Sequence, residues 1–503
     1  MPETRIDRPL LRQLLALGMV ALACHLGVMA LTLLDIAGEN LLSRYRAPFG
    51  GGATTSEWPM LLPALPALLL AAALLIWGPR LARLLSGDRE PGPAWEPWSL
   101  QVLGLGLGVG GLALLVSMLA EVGLPLEYTG PGGALRVAAA LAMVVVALHL
   151  LRRHPEAGQT TDARSLSAAA IVGATCIGVG AYTLVGLVAR GIPSLIWLPV
   201  CGWLGMGGQA GFALQEQAAA ALLAALAGGW LLWYGRRVVS RPSQGPGPGA
   251  ILLGLGVAAP VVVAAGTYRL SMLGHLLLAQ AVPGVSRMEL EGVRIGVPLE
   301  ALAYALAIAA GVWLIVTATR PAGQAKVEEA SGSLLPTTGA AGSQVLGLAY
   351  LVMAVSMVAT LPVYLNIDPR VARDLSAPTW LIPASGIALY AVLGVLLLVL
   401  RDRLVAWLVP SPAAGSPVEL GPDWRLPVLT AGLAGFGFYL LGTSLPLAVR
   451  DYAHNLPVGG SLLGASAGRT LTGLVLMLAA SRFAGWVLHA ARPRPPREDA
   501  GAA

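Results

Sequence analysis

Ala147–Arg153 reads ALHLLRR and Leu231–Arg237 reads LLWYGRR. Each is an apolar run that closes on an aromatic or imidazole ring followed by two arginines. Related endings, an apolar run and then arginine, recur in LLIWGPRLAR (74–83), VWLIVTATR (312–320), LLLVLRDR (396–403) and WVLHAARPR (486–494). Six endings of one kind imply one unit written six times, as duplication of a supersecondary element does.

Before each ending lies an apolar run, and before that another. About twenty mostly apolar residues cross the hydrocarbon core of a bilayer as a helix. Runs of that kind fall in pairs at 11–36 and 59–78, 98–121 and 133–151, 166–189 and 217–235, 249–280 and 299–318, 343–366 and 383–400, and 426–449 and 469–490. The expectation is an all-α integral membrane protein of twelve transmembrane helices in six hairpins. The units are 1–90, 91–160, 161–245, 246–330, 331–415 and 416–503, the last with a short C-terminal tail.

Composition agrees. Of 503 residues 56% are hydrophobic and 12% charged, which belongs to polytopic membrane proteins and not to a string of soluble domains. Connectors such as 238–248 and 321–342 carry too few apolar residues to fold alone. Three cysteines, Cys24, Cys176 and Cys201, imply neither a disulfide framework nor a metal cluster. The run from Arg12 through Cys24 continues to Leu34, longer than a signal-peptide core, and reads as an uncleaved first helix.

Basic residues beside membrane spans are retained on the cytoplasmic side. Twenty of the 32 Lys and Arg lie in the termini and the connectors between hairpins, and ten lie in the loops within hairpins. Both termini are therefore expected in the cytoplasm of a bacterial cell, with the chain in its cytoplasmic membrane. The formal charge of +6 then reflects topology and anionic lipid, not nucleic acid. Loop 190–216, apolar and carrying Trp197 and Trp203, reads as an interfacial segment anchored by its tryptophans, ahead of a re-entrant stretch buried in protein.

Candidate chemistry is sparse. Gly106-x-Gly108-x-x-Gly111 matches a dinucleotide fingerprint in letters alone, because it lies inside an apolar run and not after a strand. Gly104/Gly108 and Gly106/Gly110 read instead as small-residue pairs for close helix packing. Ionisable groups inside spans are costly and mark candidate sites. Those residues are Arg269, His275, His25 and Arg482. Arg269 either snorkels to headgroups or offers a substrate anion its guanidinium; Arg482 is judged alike. His25, near the middle of the first helix, reads as a packed histidine with a hydrogen-bond partner ahead of a haem ligand or proton relay. Pro260 and Pro446 hint at broken helices of the kind that hold substrates in transporters.

Carboxylates gather at outer helix ends, namely Asp35, Glu39, Glu121, Glu127, Asp368 and Asp451, without an HExxH or DxD pattern to set a chemistry. No catalytic residue, metal site or cofactor is implied. The stretches ALHLLRR, LLWYGRR and WVLHAAR resemble a bacterial paired-helix transmembrane domain family of unknown function. The resemblance implies a fold of repeated helix pairs and assigns no residue a role.

The first expectation for function is a non-enzymatic sensing, scaffold or accessory module whose partners are the lipid bilayer and other membrane proteins. The alternative is a secondary transporter of a small solute, and the third a membrane enzyme with an outer-face site.

Overall fold

The computed structural model describes residues 8–46, 64–87, 95–122, 131–153, 168–186, 209–239, 250–280, 291–319, 334–365, 381–408, 425–455 and 465–491. Among these residues the structure is helical throughout. The helices are α1 (Arg8–Arg46), α2 (Ala64–Ser86), α3 (Pro97–Val122), α4 (Pro131–Arg153), α5 (Ala168–Gly186), α6 (Gln209–Val239), α7 (Ala250–Gln280), α8 (Glu291–Ala318), α9 (Leu334–Leu365), α10 (Leu381–Val399), α11 (Arg401–Leu408), α12 (Arg425–Asn455), α13 (Ala465–Leu478) and α14 (Ala480–Ala491).

Local sequence explains several ends. Proline opens α3 and α4, where its missing N–H costs nothing and its fixed φ suits a first turn. Gly87 closes α2 at φ 65, a left-handed cap that glycine alone adopts without strain. At 39 residues, α1 is roughly 58 Å long, well beyond the bilayer core and beyond the expected end at 36.

Among the described residues six helices are long and apolar enough to cross a membrane, over Arg8–Val28, Ala67–Ser86, Ala250–Leu273, Gly296–Ala318, Thr337–Val355 and Arg425–Arg450. A seventh span is available if α13 and α14, bent by 75°, act as one. This is fewer than the twelve expected. In α3, α4, α5 and α10 the described apolar stretches run to only 10–17 residues.

Pro260 and Pro446 lie inside α7 and α12, which run on as helices through both. The expected breaks are absent there. Neighbouring helices in a membrane bundle make good a lost backbone bond. The sharp bend falls instead at Ala479, where no proline stands, and backbone bonds continue across it from Ala479 N to Val475 O (2.9 Å) and from Phe483 N to Ala479 O (3.0 Å).

Helices adjacent in the chain pack as antiparallel pairs: α1 with α2, α3 with α4, α5 with α6, α7 with α8, α9 with α10 and α12 with α13. Small residues set the separation. A methyl group on Gly180 would stand 2.7 Å from the Gly228 carbonyl, one on Gly347 2.9 Å from that of Gly394, and one on Gly437 2.6 Å from that of Gly473. Such approaches let dispersion and weak Cα–H contacts hold helices where lipid offers no hydrophobic drive. Gly228, Gly311, Gly394 and Gly473 each lie nine residues before an arginine, at Arg237, Arg320, Arg403 and Arg482. Four of the six pairs thus place a glycine at one distance from an arginine.

The pairs close into a ring. Helix α1 packs on α9, α9 on α5, α5 on α7, α7 on α12 and α12 on α3, and the α3–α4 pair returns to α1, mainly through α4. The order of pairs round the ring is first, fifth, third, fourth, sixth, second. The first helix of every pair stands inside and the second outside. Burial follows: 39–56% of the spans in α1, α7, α9 and α12 is buried, against 22% and 28% in α2 and α8. Trp77, Trp233, Trp313 and Trp486 all project from the second members of pairs, exposed as lipid-facing side chains are.

The inner helices run parallel. Gln13 Oε1 accepts from Ser99 Oγ (2.9 Å) and Glu96 N (3.3 Å), which sets the starts of α1 and α3 side by side. Gly254 meets Ala431, and Gly442 meets Val262 at 2.7 Å, so α7 and α12 rise together. At the same end the Leu85 carbonyl, which α2 leaves open, accepts from Arg401 Nη1 (2.6 Å) and Gln344 Nε2 (3.2 Å).

Candidate functional site

Each inner helix spends one face on its outer partner and two flanks on its ring neighbours. The remaining face, opposite the partner at 3.6 residues per turn, looks into the ring. On α5 the partner face is Gly173, Ile177 and Gly180, and the opposite face exposes Gly178 and Tyr182. On α3 it is Gly104, Gly108 and Gly111, and Val102 and Gly106 are exposed across from them. The pattern holds on α1 (Ala21, His25), α7 (Val261), α9 (Gly342, Met353) and α12 (Val428, Tyr439).

These faces border the centre of the ring, the chamber. Among the described residues no two inner helices on opposite sides of the ring pack together. A methyl group added at Gly106, Gly178 or Gly342 would meet nothing within 4 Å, so the glycines face open space. Six helices about 10–12 Å across, with axes about 8–10 Å apart, leave a central width on the order of 7 Å.

His25 is therefore exposed, not packed as the sequence suggested. The reason is tertiary: its neighbours on α1 turn toward α2 and α9, and its own face turns to the chamber. The contact of Gly18 with Val345 fixes the register of α1 against α9 and brings His25 level with Met353, seven or eight residues further along each helix. Tyr439 lies near the middle of the Arg425–Arg450 span. The described side chains on these inner faces carry no fixed charge; Arg425 and Arg450 stand at the two ends of α12.

Near the far end of the ring, polar groups meet. Glu300 is 2% exposed inside the α8 span, and Arg450 Nη1 lies 3.5 Å from its Oε2. Tyr304, one turn on and equally buried, feels the charges of Arg269, Glu300 and Arg450. A methyl on Gly266 would stand 3.8 Å from the Tyr304 ring and one on Gly296 3.3 Å from Arg450 Cγ, so α7, α8 and α12 converge here. Arg269, picked from the sequence, is exposed beside this group.

The other candidates disperse. Arg482 is exposed on α14, three residues past the bend and outside the chamber. The side chains of His275, Asp35, Glu39, Glu121 and Asp451 are not among those described, and Glu127, Asp368 and most of loop 190–216 lie outside the described residues. Gly104, Gly108 and Gly111 pack on Leu151, Ala147 and Val144 of α4, whereas Gly106 does not pack at all. Glu300, Tyr439 and Tyr182 were not singled out by sequence reasoning. A lone carboxylate four residues before a tyrosine inside an apolar run was the available signal for Glu300. Among the described residues no three His, Cys, Asp or Glu lie together as a metal site.

These features define an all-helical protein in which several helices are long and apolar enough to span a membrane. Comparison with family models, with curated proteins and with solved structures found no match to this chain.

Proposed function

We propose that the chain is a polytopic transporter that moves a small solute across the bacterial cytoplasmic membrane through the chamber. In this reading all twelve expected helices span the bilayer, in six hairpins with both termini cytoplasmic. The observation that supports it is the ring of six inner helices, none packed on the one opposite among the described residues, whose faces away from their partners are exposed. Passage requires a lined route across the bilayer, and selectivity in such routes comes from width and lining.

Two experiments test it. Tagging should find the Trp95 connector and the Arg44 region on opposite sides of the membrane; both on one side overturns the hairpin topology. Vesicles holding the purified protein should take up small solutes, and Gly178→Trp, which fills open space without touching a packed surface, should stop uptake while the protein still unfolds at its usual temperature. Uptake untouched by that plug removes the chamber as the route.

A second reading, the sensing, scaffold or accessory module, is favoured by the outer ring of exposed tryptophans and leucines, a surface that lipid or another membrane protein covers equally well. Copurification of a stoichiometric membrane partner, together with no uptake of any solute, favours this reading over transport.

A further inference from the structure

The chamber's lining specifies a class of solute. Its described side chains are alanine, glycine, valine, methionine, threonine, tyrosine and one histidine: Ala21 and His25 on α1, Gly178 and Tyr182 on α5, Gly342 and Met353 on α9, and Tyr439 and Thr443 among those on α12. Among the described side chains, fixed charges stand only toward the ends, at Arg425 on one side and Arg450 and Arg269 on the other. An ion leaving water for such a lining loses its hydration without gaining a counter-charge, at a cost of several kcal/mol or more. A neutral molecule needs only replacement hydrogen bonds.

Those are on offer. Tyr182 is 51% exposed and Tyr439 36%, and neither hydroxyl bonds another described residue; the His25 ring is likewise uncommitted among them. Thr443 and Thr175 donate to carbonyls of their own helices, Tyr439 O at 2.8 Å and Ile171 O at 2.9 Å, which keeps their oxygens as acceptors. Stationed along several inner helices, these groups can hand a polar molecule from one to the next. Between them Gly106, Gly178 and Gly342 keep the bore open.

We infer that the chamber passes small uncharged polar solutes, of polyol or amide type and below roughly 7 Å in cross-section, and rejects inorganic ions. The inference rests on the transport reading and names its substrate class.

The test uses the full chain in vesicles of phosphatidylethanolamine and phosphatidylglycerol, followed by light scattering after osmotic shock. Glycerol and urea should enter at least tenfold faster than into protein-free vesicles, while sucrose, too wide, does not enter. Potassium and chloride, read with ion-sensitive dyes, should stay at the protein-free rate. Gly106→Trp should bring glycerol entry down to the protein-free rate with thermal unfolding unchanged; Gly106→Ala, which adds one methyl, should retain most of it. Ion flux comparable with glycerol flux, or sucrose entry, overturns the substrate class and leaves the passage standing. Entry of none of these solutes removes the passage itself.

Discussion

Glu300 and Arg450 pair across α8 and α12 at 3.5 Å, with the carboxylate buried and the guanidinium half exposed. The two residues are 150 positions apart in the chain, and their meeting ties the fourth helix pair to the sixth at the far end of the ring. Removing one partner leaves a charge in a place built for two. A fully buried pair broken in this way loses about 3–5 kcal/mol, and one with a half-exposed partner loses less.

Arg450→Ala should accordingly destabilise the protein by roughly 2–3 kcal/mol, and Glu300→Gln, which removes the buried charge itself, by less. The double variant should recover part of the Arg450→Ala loss. Thermal unfolding in detergent reads all three. A Glu300→Gln protein weaker than Arg450→Ala contradicts the assignment of Glu300 as the buried, dependent charge.

Glycines of the ring fall into two kinds, and alanine separates them. At Gly437 and Gly473 the added methyl meets backbone at 2.6 and 2.7 Å, so each substitution should cost about 1–3 kcal/mol by forcing α12 and α13 apart. At Gly106 and Gly342 it meets nothing, and helix propensity alone predicts a gain of up to about 1 kcal/mol. Unfolding temperatures should move in opposite directions for the two sets. Movement in the same direction argues that the second set is packed.

The Leu85 carbonyl is the acceptor on which α2, α9 and α11 meet. Arg401→Ala should lower stability by about 1.5–2 kcal/mol, the smaller end for a charged hydrogen bond, because Gln344 still donates there. Gln344→Ala should cost about 1 kcal/mol. In a double-mutant cycle the two should couple, since each single loss is softened by the other donor. Strict additivity would show that they do not share the acceptor in the folded protein.

Arg152 donates to Ala490 O from Nη2 at 2.8 Å and from Nε at 3.3 Å, holding the end of α14 against α4. Both groups lie at the surface, so Arg152→Ala should change global stability by under about 1 kcal/mol. Local opening should nonetheless increase. Hydrogen exchange of the 485–491 amides is expected to quicken while that of α12 stays as it was; exchange slowed or unaltered at α14 counts against the clamp.

Much of the architecture could be read from the chain. Apolar runs in pairs, each pair ending on arginine, announce helices that return on themselves, because carbonyls and amides in hydrocarbon must bond within their own segment. The packing role of Gly104 and Gly108 was legible from their spacing. Gly106 was not, since a glycine that meets a neighbour and one that faces open space look identical in sequence. The helix breaks were misplaced at Pro260 and Pro446 for a similar reason: surrounding helices decide whether a lost hydrogen bond bends the rod.

The chain by itself determined the solvent and the pairing. Its oily segments are too long and too poor in charge to be at home in water, and the second helix of each pair closes on arginine. Only the tertiary structure decided which pair stands beside which, and hence that His25 and Tyr439 look inward while Arg482 does not. Contacts between pairs depend on how the knobs and gaps of distant helices match, as Gly254 does with Ala431, and that match is a property of surfaces in space which no single stretch of sequence contains.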